Sequence, residues 1–263
     1  MKHYRLLIVS LLFALTQNAW CQDTIRIMSI NLDQGAAATL QVIGEKIKSY
    51  QPDFVALQEV DMYPHRGRAR HQYGRNFIAE LSFYSDMQGV FGKAWDHPNG
   101  WDYGDGAMSK VPFTKSESFI LKHKENTEPR QLLLLHTNIK GHDICFGSTH
   151  LCHEDKENRA MQLKQIKSIM RKQKEKIQIV CGDLNSHPTE NLVRPIMKNW
   201  SDMLPEREFT FSSYIDKPTY RYAKYDYLLY YNKYNNIKVI NYNIDCDPSI
   251  TDHCICIADI VIY

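Results

Sequence analysis

Ile177-Gln178-Ile179-Val180-Cys181-Gly182-Asp183-Leu184-Asn185, residues 177–185, is a short apolar run that ends in a carboxylate and an amide. A run of this length and composition reads as a buried strand. Burying a polar end costs free energy unless it meets a ligand or another polar group. The same pattern recurs along the chain. Asn31 ends Ile25–Ile30, Glu59 ends Phe54–Gln58 and His150 ends Ile144–Thr149. Asp226 sits in Tyr225-Asp226-Tyr227, and Asp252-His253 precedes the last apolar run. Six such ends imply one polar centre of carboxylates, amides and two histidines. That inventory suits a hard, oxygen-ligated cation such as Mg²⁺ (or Mn²⁺) with acid–base chemistry around it.

Around these ends, strands and helices occur in both halves of the chain. Strands are expected at Thr24–Ile30, Phe54–Gln58, Tyr84–Phe91, Gly106–Ser109, Ser116–Leu121, Leu132–Ile139, Asp143–Thr149, Ile177–Cys181, Asp226–Tyr231, Asn236–Tyr242 and Ile255–Ile262. Lys140-Gly141 reads as a hairpin turn. Helices are expected over about Ala38–Tyr50, Tyr73–Leu81 and Glu154–Lys176, with another starting near Pro188. The pattern fits an α/β class: two mostly antiparallel sheets packed face to face with helices outside.

Lys156, Lys164, Lys167, Arg171, Lys172, Lys174 and Lys176 could be taken for a nucleic-acid stripe. Met161, Leu163, Ile166, Ile169 and Met170 recur on that same segment at helical spacing, which marks its buried face and leaves the lysines as its solvated side.

Residues 1–21 read as a secretory signal: basic Lys2 and Arg5, an apolar stretch Leu6–Leu15, and Ala19-x-Cys21 as a small-residue cleavage site. Bulky Trp20 before Cys21 speaks against a lipoprotein. The chain is therefore expected to be exported, periplasmic or secreted, with residues 22–263 forming one domain and no integral membrane segment in the mature chain. Nothing in the sequence asks for a partner subunit, so a monomer is expected. The net charge is +2; Lys2 and Arg5 supply both charges, so the remainder is near neutral. It carries no strong general field for nucleic acid, although a local cleft can still be basic.

Beyond Cys21 the cysteines are Cys145, Cys152, Cys181, Cys246, Cys254 and Cys256. Cys145 and Cys181 fall inside apolar strands and read as small buried hydrophobes. Cys246 with either Cys254 or Cys256 could staple a loop near the polar centre. With no Cys-x-x-Cys pair, metal binding by cysteine is not expected.

Gln58-Glu59-Val60-Asp61, Ser148-Thr149-His150-Leu151, Gly182-Asp183-Leu184-Asn185-Ser186, Tyr225-Asp226-Tyr227 and Thr251-Asp252-His253, in that order, resemble the endonuclease/exonuclease/phosphatase superfamily, the DNase I-like group. Ser29-Ile30-Asn31-Leu32 and Gly106-Ala107-Met108-Ser109-Lys110-Val111-Pro112 resemble two more of its motifs. The resemblance runs from Thr24 to the C-terminus and implies a four-layer α/β sandwich. It implies Glu59 as principal metal ligand with Asn31 close by, and Asp252 as a metal or outer carboxylate. It also implies His253 paired with Asp226, and Asp183 to align or deprotonate water. Asn185 and His150 would serve the phosphate oxygens, and Arg130 would bind phosphate. Which of Asp183 and His253 is the base stays open, and Asp105 and Asp102 are the candidate orienters of His150. Arg66–Gln72 could be a substrate-recognition loop or an ordinary basic loop.

The implied activity is metal-dependent hydrolysis of a phosphodiester or phosphomonoester. Its substrate would be nucleic acid, a phospholipid head group or a small phosphate ester. Gln58-Glu59-Val60-Asp61 departs from the Gln-Glu-Thr-Lys form of AP endonucleases, which puts that activity in doubt. Tyr214, Tyr220, Tyr222, Tyr225 and Tyr227 could stack bases or sugars, or simply pack strands. A catalytically silent binding module is the contrasting class, but it would have lost some of these polar ends.

Overall fold

The computed structural model describes residues 24–206, 208–212 and 222–263. The leader and Tyr214 and Tyr220 lie outside the described residues. The first sheet has the spatial order β13 (Ile237–Asp245), β14 (Ile255–Ile262), β1 (Thr24–Asn31), β2 (Phe54–Met62), β4 (Asp102–Ser109) and β3 (Gln88–Asp96). The second runs β5 (Phe113–Ile120), β6 (Gln131–Ile139), β7 (His142–His150), β8 (Ile177–Asp183), β12 (Asp226–Tyr231) and β9 (Trp200–Asp202). A short ribbon pairs β10 (Phe211–Ser212) with β11 (Tyr222–Ala223). Among the described residues only β1 with β2 and β7 with β8 run parallel; the other pairings are antiparallel.

The sheets pack through alternate residues. Ile25, Ile27, Phe54 and Ala56 of one meet Leu133, Leu135, Phe146 and Ile179 of the other. Phe54 and Phe146 stack with ring centroids 5.0 Å apart. The opposite face of the first sheet packs under α1 (Leu40–Tyr50) and α2 (Phe77–Ser85) through Val55, Leu57, Ile43, Ile47, Phe77 and Leu81. The outer face of the second lies under α3 (Lys156–Met170) and α4 (Val193–Ile196) through Leu132, Leu134, Val180, Leu163 and Ile166. The result is the expected four-layer α/β sandwich. Among the described residues no helix is long and apolar enough to cross a membrane.

Helix boundaries move where side chains cap them. Asn76 accepts from Ala79 N at 2.9 Å, so α2 starts four residues later than the pattern suggested. Asp86 takes a left-handed conformation at its end, which delays β3 to Gln88. Asp155 caps α3 through Asn158 N at 2.7 Å. The helix stops at Met170, short of Lys176. Leu163, Ile166, Ile169 and Met170 are buried, Met161 is half-buried, and Lys164 and Lys172 are exposed, as the solvated-face reading expects. The helix near Pro188 reduces to a 3₁₀ turn, Pro188–Glu190, followed by the four-residue α4.

Cys246 is bonded to Cys254, while Cys145, Cys152, Cys181 and Cys256 are free and buried. The disulfide closes a loop of sequence separation 8 that holds Thr251, Asp252 and His253. By loop-closure entropy, Cys246→Ser should cost about 2–3 kcal/mol of stability. Urea unfolding of the variant against the oxidised protein measures this; a loss below about 0.5 kcal/mol would show that the loop is held without the bond.

Candidate active site

The convergence of the polar ends follows from strand direction. Parallel β1 and β2 end at the same edge of their sheet, and antiparallel β14 begins there, so Asn31, Glu59 and Asp252-His253 become neighbours. In the other sheet β7 and β8 place His150 directly opposite Asp183, and antiparallel β12 sets Asp226 opposite Asp183 on its other side. Face-to-face packing then joins the two edges.

Glu59 reaches this edge through a bulge. Val55, Leu57 and Val60 all pack on the helix side of the sheet, so the period of two gains a residue between Leu57 and Val60. Glu59 sits there with φ 57° and leaves the ladder. Its Oε1 accepts from Asn31 Nδ2 at 3.4 Å, and its Oε2 accepts from Gln34 Nε2. Arg68 holds Gln34 Oε1 at 3.1 Å through Nε and Asp33 Oδ1 at 2.5 Å through Nη2. The basic loop is thus fastened to the residues after β1. Gln72, fully buried, adds bonds to Gly35 O and Ala38 O at 3.1 and 2.8 Å.

Asp183 is the hub. Its Oδ2 accepts from Asn31 Nδ2 at 3.2 Å and lies 3.5 Å from His150 Nε2 and 3.6 Å from His253 Nε2. Its Oδ1 accepts from Asn185 N at 2.8 Å, which folds Asn185 back over the site at φ 48°. Gly182 before it has φ 148°, and a Cβ there would lie 1.8 Å from Thr149 O. Gly182→Ala should therefore push β7 and β8 apart just where His150 and Asp183 pair. The expected cost is about 3 kcal/mol or more, with activity lost in whatever folds. Thermal melting and circular dichroism check this; a variant melting within a few degrees of the parent would contradict it.

His253 Nδ1 lies 3.0 Å from Asp226 Oδ2, so the carboxylate accepts the Nδ1 proton. Burial opposes charge on His253, but Asp226, by charge and hydrogen bond, and then Asp183 and Asp252, raise it to about 10. Burial raises Asp183 to about 7, His253 working against the shift and Asp226 with it. Asp226 Oδ1 is buried with no hydrogen-bond partner among the described residues. Ligand atoms of Asp183, Asp226 and His253 lie within 4.8 Å of one another, a group able to hold an ion.

Arg130 is 2% exposed, so it is no surface arginine. Its Nη1 donates to Tyr103 OH at 3.2 Å and lies 3.0 Å from His150 Nδ1; Nη2 donates to Glu128 Oε2 at 2.9 Å. A guanidinium only donates, so His150 Nδ1 must accept and the ring proton belongs on Nε2. Burial, then Arg130, His253 and His153, hold His150 far below its usual range and keep it neutral. The residue on Nδ1 is therefore a cation where a carboxylate was sought. Asp105 lies nearby but is itself raised to about 8 by burial, with Arg130 opposing. Asn185 Nδ2 donates to Leu151 O at 3.0 Å and lies 3.0 Å from His150 Nε2.

A cavity of about 290 Å³ unites Glu59, Asp252, His253, Asp183, Asn185, His150 and Arg130. Asn31 lies behind Glu59, and Asp226 behind His253. Arg66, the first residue of the basic loop, also lines it; sequence reasoning missed Gln34, Trp95, His97, Tyr103, Glu128, His153 and Phe211, which complete its wall. None ends an apolar run before a motif, so the pattern used for the others could not mark them. Of the tyrosine group, Tyr227 is buried and donates to Ser186 O at 2.5 Å, which is strand packing. A larger cavity, about 430 Å³, lies beside Trp200 and Tyr227. Its Lys224 is closed off by Asp202 Oδ2, Leu204 O and Pro205 O at 2.6, 3.2 and 2.9 Å.

Glu59 is raised by burial, with His253 and Arg130 opposing and Asp33 and Asp252 adding. Asp252 is raised by burial too, again with Asp33 adding. Like charges crowded in this way are relieved by a divalent cation, and the carboxylate oxygens of Glu59 and Asp252 fit a hard one; Asn31 stands beside them with Nδ2 toward Glu59 and Oδ1 accepting from Asp33 N at 3.0 Å.

The sequence matches the model of the Endonuclease/Exonuclease/phosphatase family over residues 15–253. Among solved structures, the chain is similar to an endonuclease/exonuclease/phosphatase from Beutenbergia cavernae (TM-score 0.73, 19% identity, 91% of this chain and 72% of that one). It is also similar to the mannosyl-6-phosphatase of Bacteroides thetaiotaomicron (0.66, 14%, 90% and 99%). A third is the human Nocturnin catalytic domain, solved with a bound sulfate (0.65, 23%, 91% and 95%). At these identities the likeness is one of fold. No curated protein matches the sequence.

Proposed function

The chain belongs to the Endonuclease/Exonuclease/phosphatase family, a family of phosphoesterases, and from that premise we propose that it is an exported, metal-dependent phosphoesterase using in-line attack by water. The observation that carries the reading is Asp183 Oδ2, where Asn31, His150 and His253 from three separate chain segments meet. Glu59 and Asp252, with Asn31 beside them, would hold Mg²⁺ or Mn²⁺. When bound, such an ion supplies Lewis-acid stabilisation of a phosphoryl oxygen.

The protein's own groups divide the remaining work. Asp183 is the base: it aligns the water and takes its proton. His253, kept protonated by Asp226, cannot accept that proton, but its Nε2–H is available to the leaving oxygen. Neutral His150 donates from Nε2 to the phosphoryl group, and Asn185 adds a second donor. Arg130 orients His150, since its Nη groups are already engaged with the protein. The cavity of about 290 Å³ is large enough to seat a compact phosphate ester. Export is supported by the leader pattern of residues 1–21 and by the Cys246–Cys254 disulfide, which suits an oxidising compartment.

The test is turnover of p-nitrophenyl phosphate, bis-p-nitrophenyl phosphate, sugar phosphates and plasmid DNA with Mg²⁺ or Mn²⁺ and with EDTA. Metal-dependent hydrolysis of the small esters, with intact plasmid, is the expected result. Plasmid cleavage would shift the assignment to a nuclease, and inertness toward every substrate would favour the silent binding module.

A further inference from the structure

A second cluster of metal-ligating side chains lies on the outer face of the second sheet. His136 on β6 and Cys145 on β7 are direct cross-strand partners. Glu175, in the connection between α3 and β8, reaches over both, and ligand atoms of the three lie within 4.8 Å of one another. His136 Nδ1 donates to Glu175 Oε1 at 2.8 Å, and Nε2 donates to Glu117 Oε2 at 3.0 Å. One reading is an ion pair with Cys145 as filler. It leaves Glu175 Oε2 buried with no hydrogen-bond partner among the described residues. It also gives no reason for a thiol beside that carboxylate. Lys115 is engaged with the other carboxylate, Glu117 Oε1, at 2.8 Å. A hollow of about 180 Å³, lined by Thr114, His136, Asn138, Asp143, Lys174 and Glu175, reaches the imidazole and the Glu175 carboxylate.

We propose that His136, Cys145 and Glu175 form a second metal site, a thiolate–imidazole–carboxylate set for a Zn²⁺-class divalent ion. Sulfur and nitrogen donors select such an ion over Mg²⁺. On binding, Sγ and Nδ1 each release one proton to solvent, a Glu175 oxygen supplies the third lone pair, and water completes four-coordination. Glu117 keeps the Nε2 proton of His136 and so fixes the ring, as outer carboxylates do for metal-bound imidazoles. Cys145 is five residues before His150 on the same strand, about 17 Å along β7. The ion would pin the connection into β8 to the sheet without touching the catalytic edge.

The experiment is a Co²⁺ titration of the purified, chelator-stripped protein, followed by Zn²⁺. A sulfur-to-cobalt charge-transfer band saturating at one equivalent and erased by Zn²⁺ is expected. Cys145→Ala should remove the band, and Glu175→Gln should weaken Co²⁺ binding at least about tenfold. Mg²⁺-dependent ester hydrolysis should stay within about twofold of the parent in both variants, which reports that they are folded. No band in the parent, or a band that survives Cys145→Ala, overturns the site. If Cys145→Ala does not fold, unchanged Co²⁺ affinity in Glu175→Gln overturns it equally.

Discussion

Glu59→Gln should lower Mg²⁺-dependent phosphoester turnover by about a thousandfold, the rate equivalent of roughly 4 kcal/mol of lost transition-state stabilisation. The substitution keeps the shape of the side chain and removes its charge. The amide partners Asn31 and Gln34 remain in place. One of the two oxygens becomes an NH₂ facing the Asn31 or Gln34 amide donor, but burial, Asp33 and Asp252 all work against a charge at this position, so the relief of that charge offsets the lost hydrogen bond and the variant should still fold in the absence of metal. The parent should gain thermal stability on adding Mg²⁺ and the variant should not. Activity within about tenfold of the parent, or an undiminished Mg²⁺ effect on melting, would remove Glu59 from the metal site.

Asp183→Asn should cost about 10³–10⁴-fold in kcat, because it removes the proposed base and reverses the polarity of the hub. Asn185 N can still donate to an amide oxygen, but the new NH₂ would then face Asn31 Nδ2, His150 Nε2 and His253 Nε2, the partners of Oδ2. Donors would meet donors at the centre of the site. Asp183 also helps hold His253 above its usual range, after Asp226, so the histidine should titrate lower in the variant. Steady-state kinetics and an NMR titration of His253 measure the two effects separately. A small loss in kcat with a normal His253 would return the base assignment to another residue.

The polar ends were legible because buried strands announce themselves. Asn31, Glu59, His150 and Asp183 each close an apolar run, and no other chemistry explains four such endings. Arg130 was legible as a position but not as a role. Its contacts to Tyr103, 27 residues upstream, and His150, 20 residues downstream, depend on how β4, β6 and β7 stack. The left-handed turn at Asn185 and the bulge at Glu59 were hidden for another reason: local propensity does not foresee a backbone that tertiary packing holds in a costly conformation. The 3₁₀ turn at Pro188 and the early stop of α3 were missed because periodicity marks a buried face better than it marks an end.

By itself the sequence determined the layer pattern, the polar centre and the members of the centre that end strands. Those are local facts, written in hydrophobic period and in the cost of burying a polar group. Tertiary structure decided which nitrogen of His150 carries the proton, that Arg130 rather than a carboxylate sits on its Nδ1, and that Cys254 rather than Cys256 closes the loop with Cys246. Each of these depends on distances of a few ångströms between groups far apart in sequence, and only the packing of two sheets sets such distances.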